Sequence, residues 1–184
     1  AQIKSLWRSR KEASKPNTHQ RHLTQELWGN PQNSRTSRTV SVADYTTIRF
    51  MLALGAHNDW EIHQMDVDTA FLYGEMTEKV YCRPPPGVKN IPHGHALLLL
   101  KGLHGTKQGA RNWNLNIHST LVGPMEMQRC PCEPCLYFKF TKGSAGVTQL
   151  LFIVIFVDDI IMFANSMKTI NKAKGKLRDA YKMT

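Results

Sequence analysis

No stretch of this sequence stays apolar for the roughly 20 residues that a bilayer-spanning helix needs. The nearest candidate, LLFIVIFVDDIIMFA at 150–164, is broken by Asp158 and Asp159. The start, AQIKSLWRSRKEASKP, is basic but has no apolar run behind it, so it does not read as a secretory signal. Neither a membrane-embedded chain nor a membrane partner is expected. Ala1 stands where an initiator Met would, as in a processed or partial chain. Acidic residues are also scarce: 14 Asp and Glu face 24 Lys and Arg, a formal charge of +10. That excess favours a polyanionic partner, through phosphate contacts and counterion release, and by itself does not separate nucleic acid from an anionic membrane surface. Only four cysteines occur, Cys82, Cys130, Cys132 and Cys135. The last three spell CPCEPC, a spacing that invites a zinc reading. A structural zinc normally takes four ligands, and the fourth would have to be Cys82 or a distant His. Reduced, partly buried thiols of an intracellular protein are the plainer expectation.

What is present is enough for one domain, or part of a larger one: 184 residues with 41% hydrophobic content. Residues 1–41 stand apart. Lys4, Arg8, Arg10, Lys11, Lys15, Arg21, Arg35 and Arg38 face only Glu12 and Glu26, turn-forming residues are dense, and no sustained period appears. The pattern predicts a basic, poorly ordered or degenerate N-terminal segment. From residue 42 the pattern sharpens. Ile48, Met51, Leu52 and Ala56 carry helical spacing, with Asp44 as cap. EIHQMDV suits a short strand, and PPPG at 84–87 ends any element. LLLL at 97–100 reads as a buried strand and GLHGTKQG as a glycine-punctuated loop. ARNWNLNIHSTL begins a second helix, with Trp113, Ile117 and Leu121 on one face. CLYFKF, QLLFIVIF and DDIIMFA are strand candidates, and Ser166 is placed to cap a last helix. The order predicts an α+β fold with a mainly antiparallel sheet covered by helices.

If QLLFIVIF and IIMFA are adjacent antiparallel strands, Asp158 and Asp159 lie at the tip joining them. A single Asp in a turn means little. Two side by side repel, and a divalent cation with its preference for oxygen ligands would offset that repulsion; a solvated turn remains the bland alternative. MDVDTAF at 65–71 places Asp66 at the end of another strand. Asp68, two residues on, is expected to be salt-bridged or solvated. If the two strands are neighbours, Asp66, Asp158 and Asp159 make a candidate two-metal site for phosphoryl transfer. A nuclease or strand-transfer enzyme also uses such a triad, but draws it from separated elements and not from an adjacent pair on a hairpin.

MDVDTAFLYGEMTEKVYCRPPPG, KGLHGTKQGARNW, CEPCLYFK and FVDDIIMFA, in that order from about residue 42 to 183, resemble consecutive motifs of the reverse transcriptase of Ty1/copia-type LTR retrotransposons. The resemblance implies a right-hand polymerase fold in which residues 42–184 are a partial domain, fingers and palm. It implies DNA synthesis from deoxynucleoside triphosphates on an RNA or DNA template with a primer, using two Mg²⁺ ions, or Mn²⁺. The rest of a retrotransposon polyprotein becomes an expected partner, inside the cell, in a cytoplasmic virus-like particle or the nucleus. By the same resemblance Asp66, Asp158 and Asp159 match the catalytic, metal-binding aspartates, and Phe156 takes the aromatic place before them. Phe71 matches the bulky residue under the incoming sugar, where a ring would clash with a ribose 2′-hydroxyl. Gln108 corresponds to a loop near template and nucleotide, and Lys107 and Arg111 beside it are candidate phosphate contacts. The family's upstream Lys-x-Arg-Leu segment has no counterpart in residues 1–41, Arg21 being the nearest echo. The chain stops at AYKMT, so primer-gripping hairpin, thumb and RNase H are expected to be absent. A fragment that is inactive or very weak alone follows, and a degenerate, non-catalytic remnant that at most binds nucleic acid is the alternative.

Overall fold

Asp44 opens the first long helix from an extended backbone (φ −65°, ψ 137°). Its Oδ1 accepts the Thr46 amide at 2.7 Å, which satisfies one of the free N–H groups of the first turn. The computed structural model in which this is seen describes residues 7–11, 42–84, 92, 95–142 and 146–184. The expectations for residues 12–41, Arg21 among them, and for Pro85, Pro86 and Gly87 lie outside the described residues. In chain order the elements are β1 (Trp7–Lys11), α1 (Tyr45–His57), β2 (Glu61–Asp66), a 3-10 turn (Ala70–Tyr73), β3 (Tyr81–Cys82), β4 (His95–Leu99), α2 (Lys107–Val122), β5 (Gln128–Arg129), β6 (Leu136–Lys142), β7 (Thr148–Phe156), β8 (Asp159–Ala164) and α3 (Met167–Ala180). The described residues are therefore mixed α/β, with three helices and antiparallel strand pairings. They divide into two compact units, Ala1–Thr39 with Phe71–Trp113, and Val40–Ala70 with Asn114–Thr184.

In the first unit β4 lies between β1 and β3. Trp7 pairs with Leu99 and Lys11 with His95, so a strand stands inside the N-terminal segment where the sequence shows no period. Leu97 and Leu99 of β4 are buried. The GLHGTKQG loop turns through Gly105 at φ +84° and ends at Thr106, whose Oγ1 accepts the Gly109 amide at 3.2 Å. The helix thus starts at Lys107, three residues before the start expected at Ala110. Gly102 admits no side chain: a Cβ there would sit 2.6 Å from the Phe71 carbonyl oxygen and 2.8 Å from the Gly109 Cα.

In the second unit the strand order is β2–β8–β7–β6–β5. The period of two splits this sheet cleanly. One face carries Met65, Ile160 and Ile155 in one row and His63, Met162 and Ile153 in the next. α3 covers it with buried Ile170, Ala173 and Leu177, and Lys174 Nζ lies 3.0 Å from His63 Nδ1. Ile117 and Leu121 of α2 are fully buried, and His118 Nδ1 lies 3.0 Å from the hydroxyl of Tyr137, opposite Ile153. The other face carries Asp66, Asp159 and Phe156, then Gln64, Ile161 and Val154, then Ile62, Phe163 and Phe152. α1 packs at its far end, where Trp60 stacks on Phe152 with ring centroids 5.5 Å apart.

Two further details differ from the sequence expectation. α1 buries Met51 and Gly55, while Leu52 is 41% exposed and Ala56 lies on the surface. The inward stripe is shifted because Gly55 has no side chain: a Cβ there would stand 3.0 Å from Ile62 Cδ1 and 3.2 Å from Phe163 Cδ1. Ser166 occupies the N-cap position of α3, yet its side chain makes no capping hydrogen bond. One carboxylate ties α1 to the sheet. Glu133 Oε2 accepts the Asp44 amide and the Thr47 hydroxyl, both at 3.2 Å, and its Oε1 accepts the Cys135 amide at 3.0 Å. Burial, aided by Glu133, pushes the Cys135 thiol up to about 11, so it is a packed, unreactive group. Burial also raises the Cys82 thiol. Replacing Gly55 with Val forces branched carbons between α1 and the Ile62–Phe163 row. The urea midpoint is expected to fall by the equivalent of about 1–3 kcal/mol, with little change in far-ultraviolet dichroism.

Candidate active site

β2 buries Met65 and leaves Asp66 exposed as its last strand residue. β7 ends at Phe156 and β8 begins at Asp159, which pair, so the hairpin turns in two residues, Val157 and Asp158. Val157 sits at φ +60°, at the loop place where this class of turn normally uses Gly. Thr69, just beyond β2, is at φ +55°. A β-branched side chain at positive φ costs on the order of 1–3 kcal/mol. Both such residues flank the three aspartates.

The register joins the two acidic segments: Asp66 lies opposite Asp159. Asp66 gives its amide to the Thr184 carbonyl at 3.0 Å and accepts the Thr184 amide at 3.1 Å, while the Val67 amide donates to the Asp158 carbonyl at 3.0 Å. Both backbone groups of Asp66 therefore point away from β8. Asp66 and Asp159 form a non-hydrogen-bonded cross-strand pair, the close type with Cα atoms about 4.5 Å apart. Like charges in that arrangement repel. The Asp66 carboxyl is held above its ordinary range, first by desolvation, then by the charges of Asp158, Asp159 and Asp68. Among the described residues no Lys or Arg forms an ion pair with Asp66, Asp158 or Asp159. Asp68 does have one: Lys182 Nζ lies 2.8 Å from its Oδ2, as the salt-bridged expectation had it.

Gln64, two residues before Asp66 on the same face, donates its Nε2 to Asp159 Oδ1 at 2.8 Å. Sequence reasoning passed over it, although its place in the period with Asp66 was the available signal. Phe156 is half-buried, edge-on to Tyr45 at 5.6 Å. The remaining expected residues belong to the other unit. Phe71 is 7% exposed, its ring T-shaped against His104 at 4.4 Å. Lys107 and Arg111 are exposed on the first turns of α2, and Gln108 is half-buried between them. For a divalent cation, three carboxylates with no ion-pair partner among the described residues are the right chemistry, hard oxygen donors that repel until a cation is shared. Among the described residues no group of three or more acid, His or Cys side chains already converges as a finished metal cage.

A family model described as reverse transcriptase (RNA-dependent DNA polymerase) matches residues 4–184. The chain belongs to the reverse transcriptase family. Among curated proteins it is similar to the "Retrovirus-related Pol polyprotein from transposon TNT 1-94" of Nicotiana tabacum, 32% identical over 144 residues. That alignment covers 77% of this chain and 10% of the relative, so the chain spans about a tenth of the length of the curated relative it matches. The resemblance to copia-type reverse transcriptases drawn from four motifs is thereby shown. No helix among the described residues of this reverse transcriptase chain is long and apolar enough to cross a membrane.

Because the folded pKa of Asp66 is raised, ionising it costs the folded state more than the unfolded one. That stability is fully present below the unfolded value, about 3.9, and is lost as pH rises through the folded value. Asp66→Asn should therefore melt higher than the parent chain at pH 7 in a chelator. The gap should close as the pH is lowered through the folded pKa, which scanning calorimetry across pH 3–7 would follow.

Proposed function

We propose that residues 42–184 are the palm and part of the fingers of a copia-type reverse transcriptase, preceded by a basic segment, residues 1–41, whose β1 pairs with β4. The reaction is nucleotidyl transfer from a deoxynucleoside triphosphate to a primer 3′-hydroxyl on an RNA or DNA template. The observation that carries this reading is the β2–β8 register, which sets Asp66 opposite Asp159 with Asp158 at the adjoining tip.

Asp66, Asp158 and Asp159 would hold two divalent cations, Mg²⁺ or Mn²⁺. These supply an activated 3′-hydroxyl and neutralise charge on the leaving pyrophosphate. Gln64 fixes one oxygen of Asp159 and so sets the rotamer of that carboxylate. Tyr45 and Phe156 wall the same strand end. Phe71 is the residue proposed to exclude a ribose 2′-hydroxyl: its ring is wedged against His104, so it cannot swing aside freely. Lys107, Gln108 and Arg111, at the first turns of α2, are proposed to contact template and triphosphate; a helix N-terminus also favours phosphate. The formal charge of +10 supports a nucleic-acid partner whose binding weakens steeply with salt. The relative's name places its own sequence in a Pol polyprotein, and the remainder of such a polyprotein is the proposed source of the parts that grip primer and duplex.

The test joins residues 42–184 to the downstream segment of a related element and measures Mg²⁺-dependent primer extension. Asp158→Asn is expected to cut extension by about 10²–10³-fold while template–primer affinity is retained. Extension indifferent to that change would remove the catalytic role, and a chain that binds nucleic acid but extends nothing in any form is the degenerate remnant. In the same assay Phe71→Val should lower discrimination against ribonucleotides by roughly 10- to 200-fold, with deoxynucleotide use largely kept.

A further inference from the structure

We propose that the segment after α3 is a clamp on the backbone of Asp66, with Tyr181 as its anchor. The proposal rests on the reading of Asp66 as a cation ligand and adds positioning residues for it. Three backbone hydrogen bonds join Lys182–Thr184 to Asp66–Asp68: Asp66 N–H to Thr184 O at 3.0 Å, Thr184 N–H to Asp66 O at 3.1 Å and Asp68 N–H to Lys182 O at 2.9 Å. Val67 and Met183 form the bridge between them. Since the amide and carbonyl of Asp66 both face this segment, β8 supplies no backbone bond to Asp66 itself. The backbone that carries the carboxylate is therefore held on one side by packing and on the other by Thr184.

A polar edge strand is weakly specified in register unless something ties it down. Lys182 and Thr184 are exposed, and the Lys182–Asp68 ion pair, with the lysine side chain 80% exposed, contributes little. The tie is Tyr181. It is 4% exposed, gives its amide to the Leu177 carbonyl at 2.8 Å and ends α3. Its hydroxyl donates to Asn116 Oδ1 at 2.7 Å and lies 2.6 Å from Thr120 Oγ1, both on α2. A buried hydroxyl with two partners fixes the ring, the ring fixes the exit from α3, and the exit fixes the register of residues 182–184. A physical chain thus runs from α2 through Tyr181 to the main chain of Asp66. Tyr181 and Thr184 act through Asp66 and are positioning residues.

The test compares the intact chain with Tyr181→Phe, which keeps the ring and removes the hydroxyl, and with Thr184→Pro, which removes the N–H given to Asp66. Amide hydrogen exchange at Asp66 and Asp68 reports the clamp. The Val67 amide, bonded to the Asp158 carbonyl, reports the register of the acidic strands independently of it. Mn²⁺ binding, read from paramagnetic broadening, reports the carboxylates. Both variants should exchange the Asp66 and Asp68 amides about tenfold faster, speed Val67 with them, and weaken Mn²⁺ by several-fold while far-ultraviolet dichroism shows the fold retained. If the clamp amides open while Val67 and Mn²⁺ binding stay as in the parent, the segment is ordinary edge structure and the proposal is overturned. If Tyr181→Phe leaves the Asp66 and Asp68 amides untouched, the anchor is misassigned. A parent chain that binds no Mn²⁺ but shows the Val67 effect defeats the cation reading and leaves the backbone clamp standing.

Discussion

The chemistry proposed for this fold depends on one strand register, Asp66 set opposite Asp159 in the close, non-hydrogen-bonded kind of pair. Left to themselves the two carboxylates would part. At about 4 Å their repulsion is on the order of 1 kcal/mol in water and about 4 kcal/mol near a protein surface. Directly behind them Met65, Ile160, Ile155, Met162 and Ile153 are at most 3% exposed, and each such side chain contributes roughly 1.5–3 kcal/mol when buried. The apolar rows outweigh the repulsion. A slip by one residue would turn every one of these side chains to the wrong face. The register is therefore fixed by the core, and the acidic pair is carried along with it.

Strain collects at the same end of the sheet as charge. Val157 and Thr69, both β-branched, hold positive φ on either side of the aspartates. Such conformations persist only where the surroundings over-determine them. Here the surroundings are the β7–β8 pairing on one side and residues 182–184 on the other. Membership of the reverse transcriptase family gives that concentration a meaning: the least comfortable part of the second unit carries the residues proposed to do the chemistry.

Most of the strands were legible in the sequence because their patterns are strong. The run from Leu150 to Ala164 announced a hairpin, and Asp66 could be tied to it since MDVDTAF is itself a recognisable strand end. Trp113, Ile117 and Leu121 were correctly read as an inward row, with exposures of 2%, 0% and 0%. The misses have physical causes. The inward stripe of α1 was misplaced because apolar spacing counts side chains, whereas Gly55 packs by lacking one. β1 and β5 are short or polar, and their pairing partners, not their own periods, make them strands. At residues 182–184 it is the pairing with Asp66–Asp68, not an apolar period, that marks the edge. Gln64 shares the period of Asp66, but a glutamine on an exposed row is not marked as a contact until its partner is known.

The distance along the chain between paired strands also sets a timetable for synthesis. Gln64 and Asp159 touch, yet 95 residues separate them. At ribosomal speeds of roughly 5–20 residues per second, β2 leaves the exit tunnel some 5–20 seconds before β8 arrives to meet it. For that interval Met65 and both edges of the strand stand open to any chaperone or neighbouring nascent chain. The residues that assemble last in the folded unit belong to the hairpin and the segment behind it. A ribosome stalled short of residue 160 would release a molecule in which β2 has no partner strand and Asp66 stands apart from Asp158.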